Sequence, residues 1–270
     1  MLHNLKLIFV HGINNQTTNY SRDLYLKILK VCKMLLEAKG MSAADIDEAL
    51  SSVVQHEVFW ASLTTDLTNR YLQLAYQHPN FFWNRLTRGV DPLGLQIMHY
   101  IKDKGDKDTG NMNILKEVDR EVRRIMTFAD IGEDPSPKQG QNVIIIAHSL
   151  GAVIGFDYVM GFRENVRLDP AVNVKSFITM GSPVPLFTSA MGYPDSDLVL
   201  PANVERWVNI SSPRDVIARP AQPFFHNIHI DEHMVSTRFF PLAAHTAYFK
   251  DNQTAAIIAA EVIRALGHQK

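Results

Sequence analysis

One serine stands where covalent chemistry could be done. In QNVIIIAHSLGAVIGF, residues 141–156, an apolar β-forming run drives straight into Ala147-His148-Ser149-Leu150-Gly151 and then into a helix-compatible run. A sharp strand-to-helix turn presents its serine at the tip, and crowding there demands small neighbours, which Ala147 and Gly151 supply. The helix that follows directs its first amides and the positive end of its dipole toward any negative charge developing beside Ser149. This suits attack on a carbonyl carbon. Small-x-Ser-x-Gly is a loose pattern by itself, and its setting after a buried strand gives it weight. A serine here could also simply cap the helix.

A second cluster suggests different chemistry. HNIHIDEH carries His226, His229, Asp231 and His233. In an extended strand His229, Asp231 and His233 share one face, and such side chains can ligate zinc. No matching ligand set occurs elsewhere, and surface histidines on an edge strand explain the same residues. The expected site therefore contains no metal.

The elements that must position Ser149 read as alternating strands and helices. Leu5 to Val10, Asn142 to Ala147 and Val174 to Met180 are apolar on both faces, as strands of a parallel sheet are. Ser52 to Trp60 and Val204 to Ile210 are further strands, and Phe224 to Ile230 alternates like an edge strand. Ser21 to Lys39 sets Leu24, Ile28, Val31 and Leu35 on one helical stripe, with Gly40 as its stop. Asn113 to Phe128 does the same with Ile114, Val118, Val122 and Ile125, and its Asp119 and Arg123 form an i,i+4 pair facing solvent. Thr254 to Leu266 closes the chain. The succession predicts an α/β doubly wound, mostly parallel sheet of about six strands. Leu63 to Ile101 breaks the rhythm: it is helical, aromatic and cut by Pro79 and Pro92. Residues 63–105 are expected to form a helical insertion, either plain core or a cap over a site. Its Phe81, Phe82, Trp83 and Leu95, with His148, are candidate walls of a substrate pocket.

IIIAHSLGA resembles the nucleophile elbow of the α/β-hydrolase superfamily, in the His-Ser-Leu-Gly form common among lipase- and esterase-like members. ITMGSPVPLF followed by WVNISSPRDVIARP is similar to lipase-like hydrolases related to inositol-deacylase proteins. The resemblance implies the chain order Ser, then Asp or Glu, then His. The acid should lie after the second strand beyond Ser149, where Asp215 is the only carboxylate in SSPRDVIARP; Glu205 and Asp231 are rivals. The histidine should precede the final helix, which favours His245, with His233 as competitor. The implied oxyanion donors are the N–H groups of Leu150 and Ile13, the latter following Gly12, which lets the backbone approach closely. Two departures stand out. Ala147 replaces the commoner glycine, and the antiparallel strands that usually come first are missing, which implies a shorter sheet.

Composition sets the remaining bounds. The chain has 270 residues, enough for one large α/β domain spanning 1–270. With 27 basic and 28 acidic residues nothing electrostatic favours nucleic acid. The single cysteine, Cys32, excludes an internal disulfide and fits a reducing compartment. No apolar run approaches the ~20 residues needed to span a membrane, and the start lacks a signal-peptide pattern. The expectation is a soluble, cytoplasmic serine esterase or lipase-like hydrolase acting on a small-molecule or lipid-like ester without cofactor. A thioesterase or amidase with the same residues, or an inactive binding protein on the same fold, remain open alternatives.

Overall fold

The computed structural model describes residues 5–12, 18–60, 97, 114–127, 141–161, 168–191, 198–236 and 241–267. The anticipated insertion over 63–105, with Phe81, Phe82, Trp83 and Leu95, lies outside them apart from Ile97, as does Ile13.

The first strand, β1, runs Leu5–Val10, as its unbroken apolar character predicts, and every residue in it is buried. Lys6 tolerates this by carrying its ammonium to the Ile125 carbonyl at 2.8 Å and the Gln141 side chain at 3.1 Å. Among the described residues five further strands follow: β2 Val53–Val58, β3 Gln141–His148, β4 Val172–Met180, β5 Trp207–Ser211 and β6 Ile230–Met234. They join in the order β2-β1-β3-β4-β5-β6, and every pairing is parallel.

Side chains alternate between two cores. Leu5, Leu7, Phe9, Ile144 and Ile146 face one side, against Leu24, Ile28, Cys32 and Leu36 of α1 (Arg22–Ala38) and Ile258 and Val262 of the last helix (Asn252–Ala265). Ile8, Val10, Val143, Ile145 and Ala147 face the other, with Ile114, Val118, Val122 and Ile125 of a helix over Ile114–Thr127. Burial on both faces is why these strands read as continuous apolar runs. On that second side Phe156, Phe177, Trp207 and Phe225 pack ring to ring, with centroids 5.1–5.8 Å apart.

Three expectations need correction. The buried stripe of α1 continues through Cys32 and Leu36 rather than Val31 and Leu35, a strict i, i+4 progression from Leu24; Leu35 is 39% exposed. Asp119 and Arg123 do pair at 2.8 Å with Arg123 outermost, but Asp119 also accepts from Tyr158. The edge strand begins at Ile230, not Phe224. Gln222, in a short 3₁₀ turn, donates to the Phe225 and Ile228 carbonyls and accepts from the Ile230 amide, so its side chain replaces strand pairing across that stretch.

Candidate active site

Because all six strands are parallel, the segments leaving their carboxyl ends gather along one edge of the sheet, where ligands of open α/β folds bind. Ser149 alone joins β3 to the next helix, α4 (Leu150–Met160), where α2 and α3 denote Ala43–Ser51 and Ile114–Thr127. Its backbone sits at φ 56°, ψ −129°, a conformation costing about 1–3 kcal/mol for a non-glycine residue. Neighbours hold it there. The Ser149 amide donates to the Met180 carbonyl at 3.1 Å and its carbonyl accepts from Ala152 at 2.9 Å. A β-carbon on Gly151 would lie 2.2 Å from the His11 carbonyl oxygen, and one on Gly12 would lie 2.6 Å from Ser149 Cβ. Only glycines fit at these two points, so the end of β1 and the start of α4 close tightly around the serine. Ser149 makes no side-chain bond to cap its helix, which disposes of the capping alternative.

The Ser149 hydroxyl instead meets a histidine. Oγ lies 2.7 Å from His245 Nε2, and His245 Nδ1 lies 2.8 Å from Asp215 Oδ2. Asp215 is 2% exposed, yet its carboxylate is well supplied with donors. Oδ2 also accepts from the Tyr248 hydroxyl at 2.9 Å, and Oδ1 from the amides of Ile217 at 3.0 Å and Ala218 at 3.3 Å. Burial alone would raise its pKa. The bond and charge of His245, with the Ile217 and Tyr248 donors, outweigh burial and hold it below the ordinary carboxylate value. An ionised Asp215 can only accept, so His245 carries its proton on Nδ1 and turns the Nε2 lone pair to the serine. Tyr248 is pushed upward by burial and then by the Asp215 charge, and stays a donor.

His245 belongs to a short helix, α6 (Pro241–Thr246), that runs into a 3₁₀ turn, Ala247–Lys250, carrying Tyr248; α5 is Val184–Met191 and α7 is Asn252–Ala265. One loop thus brings both the imidazole and the phenol to the same carboxylate oxygen.

His148, expected as a pocket wall, is buried and donates from Nε2 to the His245 main-chain carbonyl at 2.7 Å. Burial, with His245 alongside, pushes its pKa down to about 3, so the ring stays neutral. Gly181, at φ 57°, leaves the space these groups need: a β-carbon there would lie 2.8 Å from the Tyr248 ring, 3.2 Å from Asp215 Oδ2 and 3.3 Å from His148 Nε2. On the β1 side, His11 stacks on Trp60 at 5.2 Å and lies 2.6 Å from the Gly12 carbonyl through Nδ1. Burial drives its pKa to about 4. Tyr248 and His11 were not marked as partners of the site by any sequence pattern, and His148 was marked only as a candidate pocket wall.

Leu150 opens α4, so its N–H is among the first-turn amides that have no carbonyl within the helix. Beside it and Ser149 is a cavity of about 280 Å³, walled by Ile97, Pro183, Leu186, Phe187, Val216, Ile217 and Arg219. The rival residues lie elsewhere. Glu205 pairs with Lys175 and Arg264, Asp231 with Arg206 and His229, and His233 is exposed on β6. Among the described residues no group of three His, Cys, Asp or Glu side chains is placed to hold a metal ion. Among them, too, no helix is long and apolar enough to cross a membrane.

No family model matches the chain, and no curated protein does. Among solved structures it is similar to a dienelactone hydrolase from Anabaena variabilis at 12% identity, over 97% of this chain and 85% of that one, with a TM-score of 0.44. An acetyl xylan esterase shares 13% identity over 97% and 98% of the two chains, with a TM-score of 0.41. The peroxisomal alpha-beta-hydrolase Lpx1 from Saccharomyces cerevisiae shares 12% over 96% and 77%, with a TM-score of 0.36. The chain's own architecture among the described residues, six parallel strands ordered β2-β1-β3-β4-β5-β6 between two helical layers with a strained serine between β3 and α4, is an α/β-hydrolase-like fold.

Proposed function

We propose that the protein is a serine hydrolase that cleaves a carboxylic ester through an acyl-enzyme. The observation that carries the reading is the unbroken chain of hydrogen bonds from Ser149 Oγ through His245 to Asp215, at 2.7 and 2.8 Å. Ser149 Oγ attacks the ester carbonyl carbon while His245 Nε2 takes its proton. The amide of Leu150 stabilises the oxyanion, and Ile13, which follows Gly12 in the sequence, is the proposed second donor. As the tetrahedral intermediate collapses, the carbon–oxygen bond to the alcohol breaks and His245 returns the proton to that oxygen. Water then attacks the acyl-serine with the same base and releases the acid. Asp215 stays ionised, orients the Nδ1–H and stabilises the imidazolium.

Strain at Ser149 and the four donors on a buried carboxylate serve no evident purpose in an inert binding protein. We also place the enzyme in the cytoplasm, where Cys32 remains a buried thiol. Steady-state hydrolysis of matched para-nitrophenyl esters, thioesters and anilides tests the reading. Turnover should be fastest on the esters, and Ser149→Ala should lose about 10⁴-fold or more. Ester turnover that survives in Ser149→Ala would refute it.

A further inference from the structure

We infer that this site, on the serine-hydrolase reading above, selects an ester whose short acyl chain ends in a carboxylate, and that Arg219 recognises that carboxylate. Among the described residues, and apart from Ser149 itself, the cavity beside the serine has apolar walls with one exception, Arg219. At about 280 Å³ it lies just below the usual range for small-molecule pockets, roughly 300–1,000 Å³.

Arg219 lies on the loop that carries Asp215. Its Nη1 donates to two main-chain carbonyls, Ala218 at 2.7 Å and Asp215 at 3.4 Å. Among the described residues no carboxylate is paired with it, although the other well-placed arginines of this protein, Arg206 and Arg264, each hold two. The Nη1 bonds fix the guanidinium by its own turn and leave Nε and Nη2 as donors. An otherwise apolar cavity that abuts the serine and exposes one uncompensated guanidinium suits a chain with a carbonyl at one end, methylenes between and an anion at the other. A guanidinium meets a carboxylate with two parallel donors.

The assignment to the acyl side follows from the order of events. The acyl group stays bound to Ser149 Oγ while the alcohol leaves and water enters, so a cavity that abuts Ser149 and Leu150 suits the part that stays. The products would be a dicarboxylic acid and an alcohol.

The test compares two substrates of equal shape. One is mono-para-nitrophenyl adipate; the other is the para-nitrophenyl ester of the neutral acid in which an isopropyl group replaces the terminal carboxylate. Wild type should prefer the anionic ester in kcat/KM by about tenfold, a modest figure because an exposed guanidinium is partly screened. The preference should narrow in about 0.5 M sodium chloride, where the Debye length is roughly 4 Å. Arg219→Gln should bring the ratio near unity and Arg219→Lys should keep part of it. Arg214→Gln, which removes an equal charge from an exposed position on the same loop, should keep the wild-type ratio.

A wild type that prefers the neutral ester overturns the inference. So does an Arg219→Gln variant that loses activity on both esters in equal proportion, since the arginine would then only clamp the Asp215 turn. Protein that reacts with a fluorophosphonate at Ser149 yet hydrolyses neither ester overturns it as well, and leaves the hydrolase reading standing. Protein that does not react with the fluorophosphonate removes both.

Discussion

His148 donates to the main-chain carbonyl of His245 across 2.7 Å, although the two residues are 97 positions apart. The residue immediately before Ser149 therefore holds the backbone of the residue whose ring meets the Ser149 hydroxyl. Proton transfer from Oγ to Nε2 needs these groups kept within a fraction of an ångström, and misplacement by about 1 Å can cost on the order of 100-fold. His148→Ala should lower kcat by about 10–100-fold with KM little changed, and His148→Gln, which keeps a donor, should recover part of the loss. Steady-state kinetics decides; a His148→Ala variant with wild-type kcat contradicts this role.

Tyr248 and His245 share one oxygen of Asp215. Tyr248→Phe removes one donor and leaves Oδ2 bonded to His245, so the carboxylate is not orphaned. The expected stability loss is about 1 kcal/mol, read from urea unfolding. With one depressing interaction gone, the Asp215 pKa should move upward, which NMR titration of a carboxyl-labelled sample would register. No upward movement would mean that the phenol does not act on the acid.

Burial gives the protein a built-in sensitivity to acid. His148 and His11 have folded pKa values of about 3 and about 4, whereas an unfolded histidine titrates near about 6.5. Between these limits the unfolded chain binds more protons than the folded one, so stability falls as pH drops through the unfolded value and levels off below the folded values. Asp215 acts later: its depressed pKa contributes stability above the ordinary carboxylate range, lost as pH falls below about 4. Unfolding free energies measured from neutral pH down to about 4.5 should therefore decline, and His148→Gln should flatten the slope by up to about 1.4 kcal/mol per pH unit, one proton's worth. Parallel slopes would show that His148 is not held neutral.

Two glycines with left-handed backbone separate strain from crowding. Gly40, at φ 79°, has nothing within 4 Å of where a side chain would start, so Gly40→Ala should cost only the conformational term of about 1–2 kcal/mol. Gly181, at φ 57°, carries that strain and also presses on Tyr248. Gly181→Ala should be destabilised by about 2–4 kcal/mol and lose most activity. Equal costs at the two positions would contradict the packing described around Asp215.

The sequence was most readable where one local pattern sufficed. Leu5–Val10 was recovered to the residue because every position is apolar and His11-Gly12 ends the run. Ser149, Asp215 and His245 could be singled out because chain order carries over from a resemblance, and the structure brings these three side chains together. Tyr248 could not be assigned a role, and His148 was expected only as a pocket wall, since each bonds to a partner far along the chain. The false strand over Phe224 to Ile230 arose because alternation there mimics an edge strand, while the side chain of Gln222 satisfies the backbone instead. The shifted stripe of α1 shows a similar limit: both phases are apolar in sequence, and only packing against the sheet chooses Cys32 and Leu36.

The central claim is that Ser149 is made nucleophilic by His245, and reaction with a fluorophosphonate probe tests it most directly. Intact mass and peptide mapping would be read on wild type, Ser149→Ala, His245→Ala and Asp215→Asn. The account predicts one probe per chain at Ser149, none in Ser149→Ala or His245→Ala, and markedly slower labelling in Asp215→Asn. Wild type that stays unlabelled while a control hydrolase reacts, or label on Ser149 that persists undiminished in His245→Ala, would contradict it.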